Sequence, residues 1–145
     1  MLGRVRREVA VRGDRPMPES RSVVETLPPM PGAPRRARDV VTEQCVRWGA
    51  DHLIWPATMI VSELVSNVVE HARTVMKLDV ALRPSSLYLA VHDASSARPV
   101  LRDGDAVSMP GGRGLQFVRA LSTAWGYNAD ANGKIVWATL ALSSR

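Results

Sequence analysis

Glu63 and Asn67 stand four residues apart in Ala57-Thr58-Met59-Ile60-Val61-Ser62-Glu63-Leu64-Val65-Ser66-Asn67-Val68-Val69-Glu70-His71-Ala72-Arg73, one turn from each other on a helix. A carboxylate and a carboxamide in that relation can hold a hydrated Mg²⁺ or a water. Asn67 offers an amide oxygen, and Glu63 can orient or deprotonate an attacking hydroxyl. Ser66, Glu70 and His71 recur on the same face. That face holds no lysine, and Arg73 comes only at its end, unlike the Glu/Lys mixture of an ordinary solvated face. A second candidate is Gly111-Gly112-Arg113-Gly114, just before a helical pattern. Glycines leave the backbone open to a close ligand, and the N–H groups opening a helix form a natural phosphate site. No Gly-Lys-Ser/Thr follows, so this is not a Walker A loop. Taken singly, each signal is weak: one also describes a wet helix face, the other a plain loop-to-helix connection.

These residues need elements to hold them. Ile60, Leu64, Val68 and Ala72 recur every four residues with Val61, Val65 and Val69 beside them, a wide apolar stripe that must face a sheet. The pattern predicts a helix over 57–73. An earlier helix begins near Pro34, where a missing N–H costs nothing. It runs through Ala37, Val40, Val41, Cys45 and Trp48 and closes at Gly49. Segments 75–82 and 86–93 alternate around Arg83-Pro84-Ser85 and read as a hairpin. A polar loop over 94–110 leads to the glycine cluster, after which Leu115, Val118 and Leu121 mark a third helix ending near Trp125-Gly126. Stretches 126–129 and 134–142 form a second hairpin. Ser22-Val23-Val24-Glu25-Thr26-Leu27 reads as a first strand, stopped by Pro28-Pro29-Met30-Pro31. Strands thus come in hairpins rather than singly between helices. The expected fold is an α+β two-layer sandwich, a mixed, mainly antiparallel sheet covered on one face by about three helices.

Composition narrows the function. With 145 residues the chain has room for one domain, assigned to 21–145, behind a mobile basic tail at 1–20. The net charge of +5 suggests nucleic acid, but its distribution does not. Arg4, Arg6, Arg7, Arg12 and Arg15 mix with Glu8 and Asp14, and no aromatics interleave. Cys45 is the sole cysteine, so no intrachain disulfide and no cysteine-based zinc site can form. His52, His71 and His92 lack metal-ligand spacing. The first residues never develop the apolar run of a signal peptide, and no stretch has the roughly 18–20 unbroken apolar residues of a spanning helix. The expectation is a cytoplasmic protein with neither nucleic acid nor membrane as a direct partner.

In its motifs the sequence resembles the GHKL ATPase superfamily, the Bergerat fold (HATPase_c). Within it, the chain is similar to the anti-sigma-factor serine/threonine kinase branch of small bacterial regulators. Glu63-Leu64-Val65-Ser66-Asn67-Val68-Val69-Glu70-His71-Ala72 resembles the N box, His92-Asp93-Ala94-Ser95-Ser96 the adenine-binding box, and Gly111-Gly112-Arg113-Gly114-Leu115 the phosphate-loop box. Trp125-Gly126 and Gly133-Lys134-Ile135-Val136-Trp137-Ala138-Thr139-Leu140 resemble the closing hairpin, and the likeness spans about 20–142. It implies ATP and Mg²⁺ as ligands, with Asn67 holding Mg²⁺ against the phosphates and Glu63 as general base. It implies that Asp93 accepts a hydrogen bond from the adenine amino group. Gly111, Gly112, Gly114 and the amide of Leu115 would contact phosphates, and Arg113 would add charge. Ser66 and His71 would fall on the pocket side, and Thr139 would be a second adenine-side contact. One departure stands out: more typical members read Asp-x-Gly-x-Gly where this chain has Asp93-Ala94-Ser95-Ser96-Ala97.

For partners, the resemblance implies a sigma factor to sequester and an anti-anti-sigma antagonist to phosphorylate on serine or threonine, with room for a homodimer. The alternative is a catalytically weak, nucleotide-dependent binding module of the same fold. Glu63 favours the kinase, and the missing glycines beside Asp93 favour the module. The catalytic domain of a sensor histidine kinase fits less well, because no phospho-acceptor helix hairpin precedes the domain.

Overall fold

A computed structural model describes residues 21–97 and 114–143. The segment 1–20, most of the expected polar loop, and Gly111, Gly112 and Arg113 lie outside the described residues. Among the described residues the alternating segments become five strands: β1 (Ser22–Leu27), β2 (Met76–Leu82), β3 (Ser86–Asp93), β4 (Ala124–Asp130) and β5 (Gly133–Ala141). They form one sheet in the order β1-β2-β3-β5-β4, and every neighbouring pair is antiparallel. Three helices, α1 (Ala33–Arg47), α2 (Ile54–Asn67) and α3 (Gly114–Leu121), pack against it. The result is the α+β sandwich that the hairpin pattern predicts.

Strand parity decides what faces the helices. Leu78 and Val80 of β2, Leu87, Leu89 and Val91 of β3, and Val136, Ala138 and Leu140 of β5 share one core with Val40 and Val41 of α1 and Ile60 and Leu64 of α2. The alternate residues Ala81, Tyr88, Ala90 and Ile135 form a second, smaller cluster on the other face, with Trp137 against it.

Helix α2 is the central element. It starts at Ile54, three residues before the predicted start, directly after a 3₁₀ turn at Asp51–Leu53. Pro56 falls in its first turn, where an N–H would have no intrahelical partner anyway. After Asn67 the helix widens into a π turn at Val68–Ala72. Arg73 N–H closes it on Val68 O at 2.6 Å, and Arg73 ends it in the left-handed region with φ 55. The helical run Asp51–Ala72 is long and apolar enough to cross a membrane by length and composition. Its apolar stripe is nevertheless committed to the core, where Ala57, Ile60, Val61 and Val65 have no exposed surface.

Helix α3 stops at Leu121, four residues before the predicted end at Trp125. Ser122 N–H makes the last helical bond, to Val118 O at 3.0 Å, and Thr123 N–H leaves the helix to donate to Thr139 O of β5 at 2.7 Å. The chain then turns, and Trp125 pairs with Ala138 inside β4. Two residues, Ala131 and Asn132, connect β4 to β5, and Asn132 N–H donates to Asp130 Oδ1 at 2.8 Å in an Asx turn.

Candidate functional site

Where the end of α2 and its π turn pass over the ends of β3 and β5, a cavity of about 110 Å³ opens. Leu64, Val68, Val91 and Val136 give it apolar walls. Asn67 and His71 reach it from the helix side, and Asp93 and Lys134 from the sheet. Apolar walls with a few convergent polar groups are what a small-molecule site needs.

Asp93 closes β3 with no exposed side-chain surface. Directly across the ladder stands Lys134, whose side chain is 6% exposed. Lys134 Nζ donates to Asp93 Oδ2 at 2.8 Å and to Oδ1 at 3.1 Å. Ser95 N–H donates to the same Oδ1 at 2.8 Å, and Ala97 N–H to Ser95 Oγ at 3.1 Å. These side-chain-held turns shape the start of the loop in place of glycine. No residue of 94–97 adopts a positive φ, so the loop carries none of the strain that the Gly-to-Ala and Gly-to-Ser departures would otherwise bring. The glycine that this corner does require is Gly133. Its φ is +146, and a Cβ there would lie 2.1 Å from Asp93 O. Its bare backbone lets β5 start against the end of β3, which seats Lys134 beside Asp93.

On α2 and its π turn the cavity-lining residues are Leu64, Asn67, Val68, His71 and Ala72. This stripe lies one residue round the helix from the polar face read in the sequence. Asn67 and His71 belong to both, whereas Glu63 and Ser66 are half-buried beside the cavity and do not line it. Burial pushes the Glu63 carboxyl above its ordinary value, and the neighbouring Glu70 charge adds to the effect. His71 Nε2 lies 3.9 Å from Glu70 Oε1.

The remaining predicted positions divide. Gly114 opens α3, and Leu115 is buried in the core at its first turn. Gly111, Gly112 and Arg113 lie outside the described residues. Thr139 opposes Tyr88 and shares the parity of Ile135 and Trp137, so it faces the side of the sheet away from the cavity. An adenine-side contact from Thr139 therefore does not fit this geometry. Of the β5 residues that line the cavity, Lys134 and Val136, the polar one is Lys134, which the sequence reading passed over. Its signal was alternation: Lys134 continues the inward row of Val136, Ala138 and Leu140, and a lysine placed inward calls for a carboxylate.

A helix bearing Asn67 and His71 over an antiparallel sheet, with a buried aspartate at the end of an inner strand, agrees with a comparison of the whole sequence. The profile of the histidine kinase-like ATPase domain matches residues 27–140. The chain belongs to this family. Through it, the chain is a GHKL protein, and ATP is the ligand that the family implies. Two solved structures share the fold. The RsbU and RsbW domains of Rv1364c from Mycobacterium tuberculosis align with a TM-score of 0.64 and 23% identity, covering 86% of this chain and 32% of that one. The histidine kinase domain of the blue-light activated histidine kinase EL346 from Erythrobacter litoralis aligns with a TM-score of 0.50 and 20% identity, covering 75% and 59%. The chain therefore spans a third to three-fifths of the length of these two structures. No curated protein matches it significantly.

Proposed function

We propose that this ATPase-family chain is a cytoplasmic regulatory kinase. It binds Mg-ATP in the cavity under α2, holds a sigma factor, and transfers phosphate to a serine or threonine of an anti-anti-sigma partner. The observation that carries the reading is the convergence of Asp93 and Asn67 on one apolar-walled cavity. The RsbW domain in the mycobacterial neighbour supports partners of the anti-sigma type.

The residues fit the ligands. Asp93 is an acceptor at the sheet end of the cavity, suited to an exocyclic amino group. Asn67 supplies an amide oxygen to a hard cation. Among the described residues no three His, Cys, Asp or Glu side chains gather around a metal position, so the other Mg²⁺ ligands would be phosphate oxygens and water. The ion, when bound, would neutralise phosphate charge. Glu63, made more basic by its half-buried position, would take the proton of an acceptor hydroxyl presented next to the cavity.

A specific observation favours a second reading, a binding module without transfer: Glu63 lies beside the cavity rather than in its wall. One set of measurements separates the two. Under the kinase reading, Mg-ATP raises the thermal midpoint of the purified chain, and phosphate appears on a co-encoded anti-anti-sigma protein. Glu63→Ala keeps the thermal shift and loses at least about 100-fold in transfer, the usual weight of a general base. Asn67→Ala loses the shift itself. A shift without transfer selects the module. Absence of any shift at millimolar Mg-ATP removes both.

A further inference from the structure

Lys134 is a buried cation in the wall of a cavity, which is an expensive place for one. Against apolar side chains of similar volume, a buried ion pair adds little net stability. Position 134 continues the inward row of Val136, Ala138 and Leu140, where the neighbours are apolar. A buried charge pair lining a cavity points instead to binding.

Hydrogen-bonding capacity defines what the pair offers. A carboxylate accepts at about four lone-pair sites. Oδ1 of Asp93 uses two, for Ser95 N–H and Lys134, and Oδ2 uses one, for Lys134. One acceptor site on Oδ2 is left. The ammonium has three donors, of which Asp93 takes two. Asp93 and Lys134 therefore keep one acceptor and one donor unspent, side by side on adjacent strands that line the same cavity. Adenine carries the complement on its Watson–Crick edge, an amino donor next to a ring-nitrogen acceptor.

We infer that Lys134 reads the purine ring, donating to the ring nitrogen adjacent to the amino group that Asp93 accepts. Lys134 thus fixes the base together with Asp93 and does more than neutralise it. The inference rests on the ATP reading above. It makes Lys134 a specificity-determining residue, and it accounts for a lysine at an inward-facing strand position.

The test compares Mg-ATP with Mg-1-deaza-ATP, in which C–H replaces that ring nitrogen, by titration calorimetry on the wild-type chain and on Lys134→Met. The wild type is expected to bind the deaza compound about tenfold or more weakly than ATP, the weight of one hydrogen bond to a charged group. Lys134→Met is expected to bind the two alike, because the group that told them apart is gone. Equal wild-type affinities for the two nucleotides overturn the inference, and that measurement needs no variant to fold. A Lys134→Met protein that still prefers ATP also overturns it, because another group must then be reading the ring. If the wild type binds neither nucleotide, the ATP reading of the cavity has failed and this inference falls with it.

Discussion

At Asp93 the chain obtains a defined loop start from side-chain hydrogen bonds rather than from glycine. The aspartate was legible in the sequence because its neighbours form a box, whereas Lys134 was not. Single-residue parity on β5 becomes visible only once the strand's inward face is known, and reading the strand as a block selected Thr139 on the wrong face. Glu63 was legible as a residue on the same helix as Asn67. Its offset from the cavity wall depends on helix rotation, which spacing alone does not give. The raised carboxyl of Glu63 has a measurable consequence. The folded chain holds the Glu63 proton more tightly than the unfolded chain. This contribution to stability is therefore intact below the ordinary carboxylate range and is lost as pH rises through that range toward the higher folded value. Thermal midpoints of wild type and Glu63→Gln between pH 4 and 8 should diverge, with the variant the more stable at neutral pH. Parallel curves would show that Glu63 is not desolvated.

Among the elements, helix cores and hairpins followed from periodicity, and their ends did not. α2 begins early because Pro56 is tolerated in a first turn, and α3 ends early because Thr123 N–H donates to Thr139 O of β5. Both are backbone hydrogen-bond decisions that hydrophobic spacing does not encode. The junction of β5 with the end of β3 is the most constrained of these ends. Gly133→Ala would place a methyl into Asp93 O at a φ that side chains rarely adopt, and should cost more than about 3 kcal/mol. Gly126→Ala meets the Trp137 ring at 2.9 Å, a side chain that can shift, and should cost about 1–3 kcal/mol. Urea midpoints rank the two. Nucleotide affinity should fall with Gly133→Ala, which disturbs the Asp93 corner, and hold with Gly126→Ala. The reverse order would mean that β5 can slide without moving Asp93.

For the molecule as a whole, the antiparallel sandwich was legible because three helices and two hairpins leave few arrangements. Cys45 reports on its integrity. The side chain is fully buried on α1, and burial, with Asp51 adding to it, pushes its thiol up to about 11. Alkylation at pH 8 should therefore await opening of α1 from the sheet. Mg-ATP at 100 times its dissociation constant should slow that opening-limited labelling about 100-fold if the nucleotide binds only the folded chain. Unchanged labelling would separate the cavity from global stability. The π turn at Val68–Ala72 has a consequence of another kind. It holds about one residue more per turn than the α-helix before it, between Asn67 and the left-handed Arg73. If the same five residues wound as α-helix, the far end of the turn would be rotated by up to about 100°, the angle of one residue. His71 and Ala72 would then be carried away from the cavity while every side chain kept its chemistry. At this end of the helix, pitch as much as the order of letters decides which residues meet a ligand.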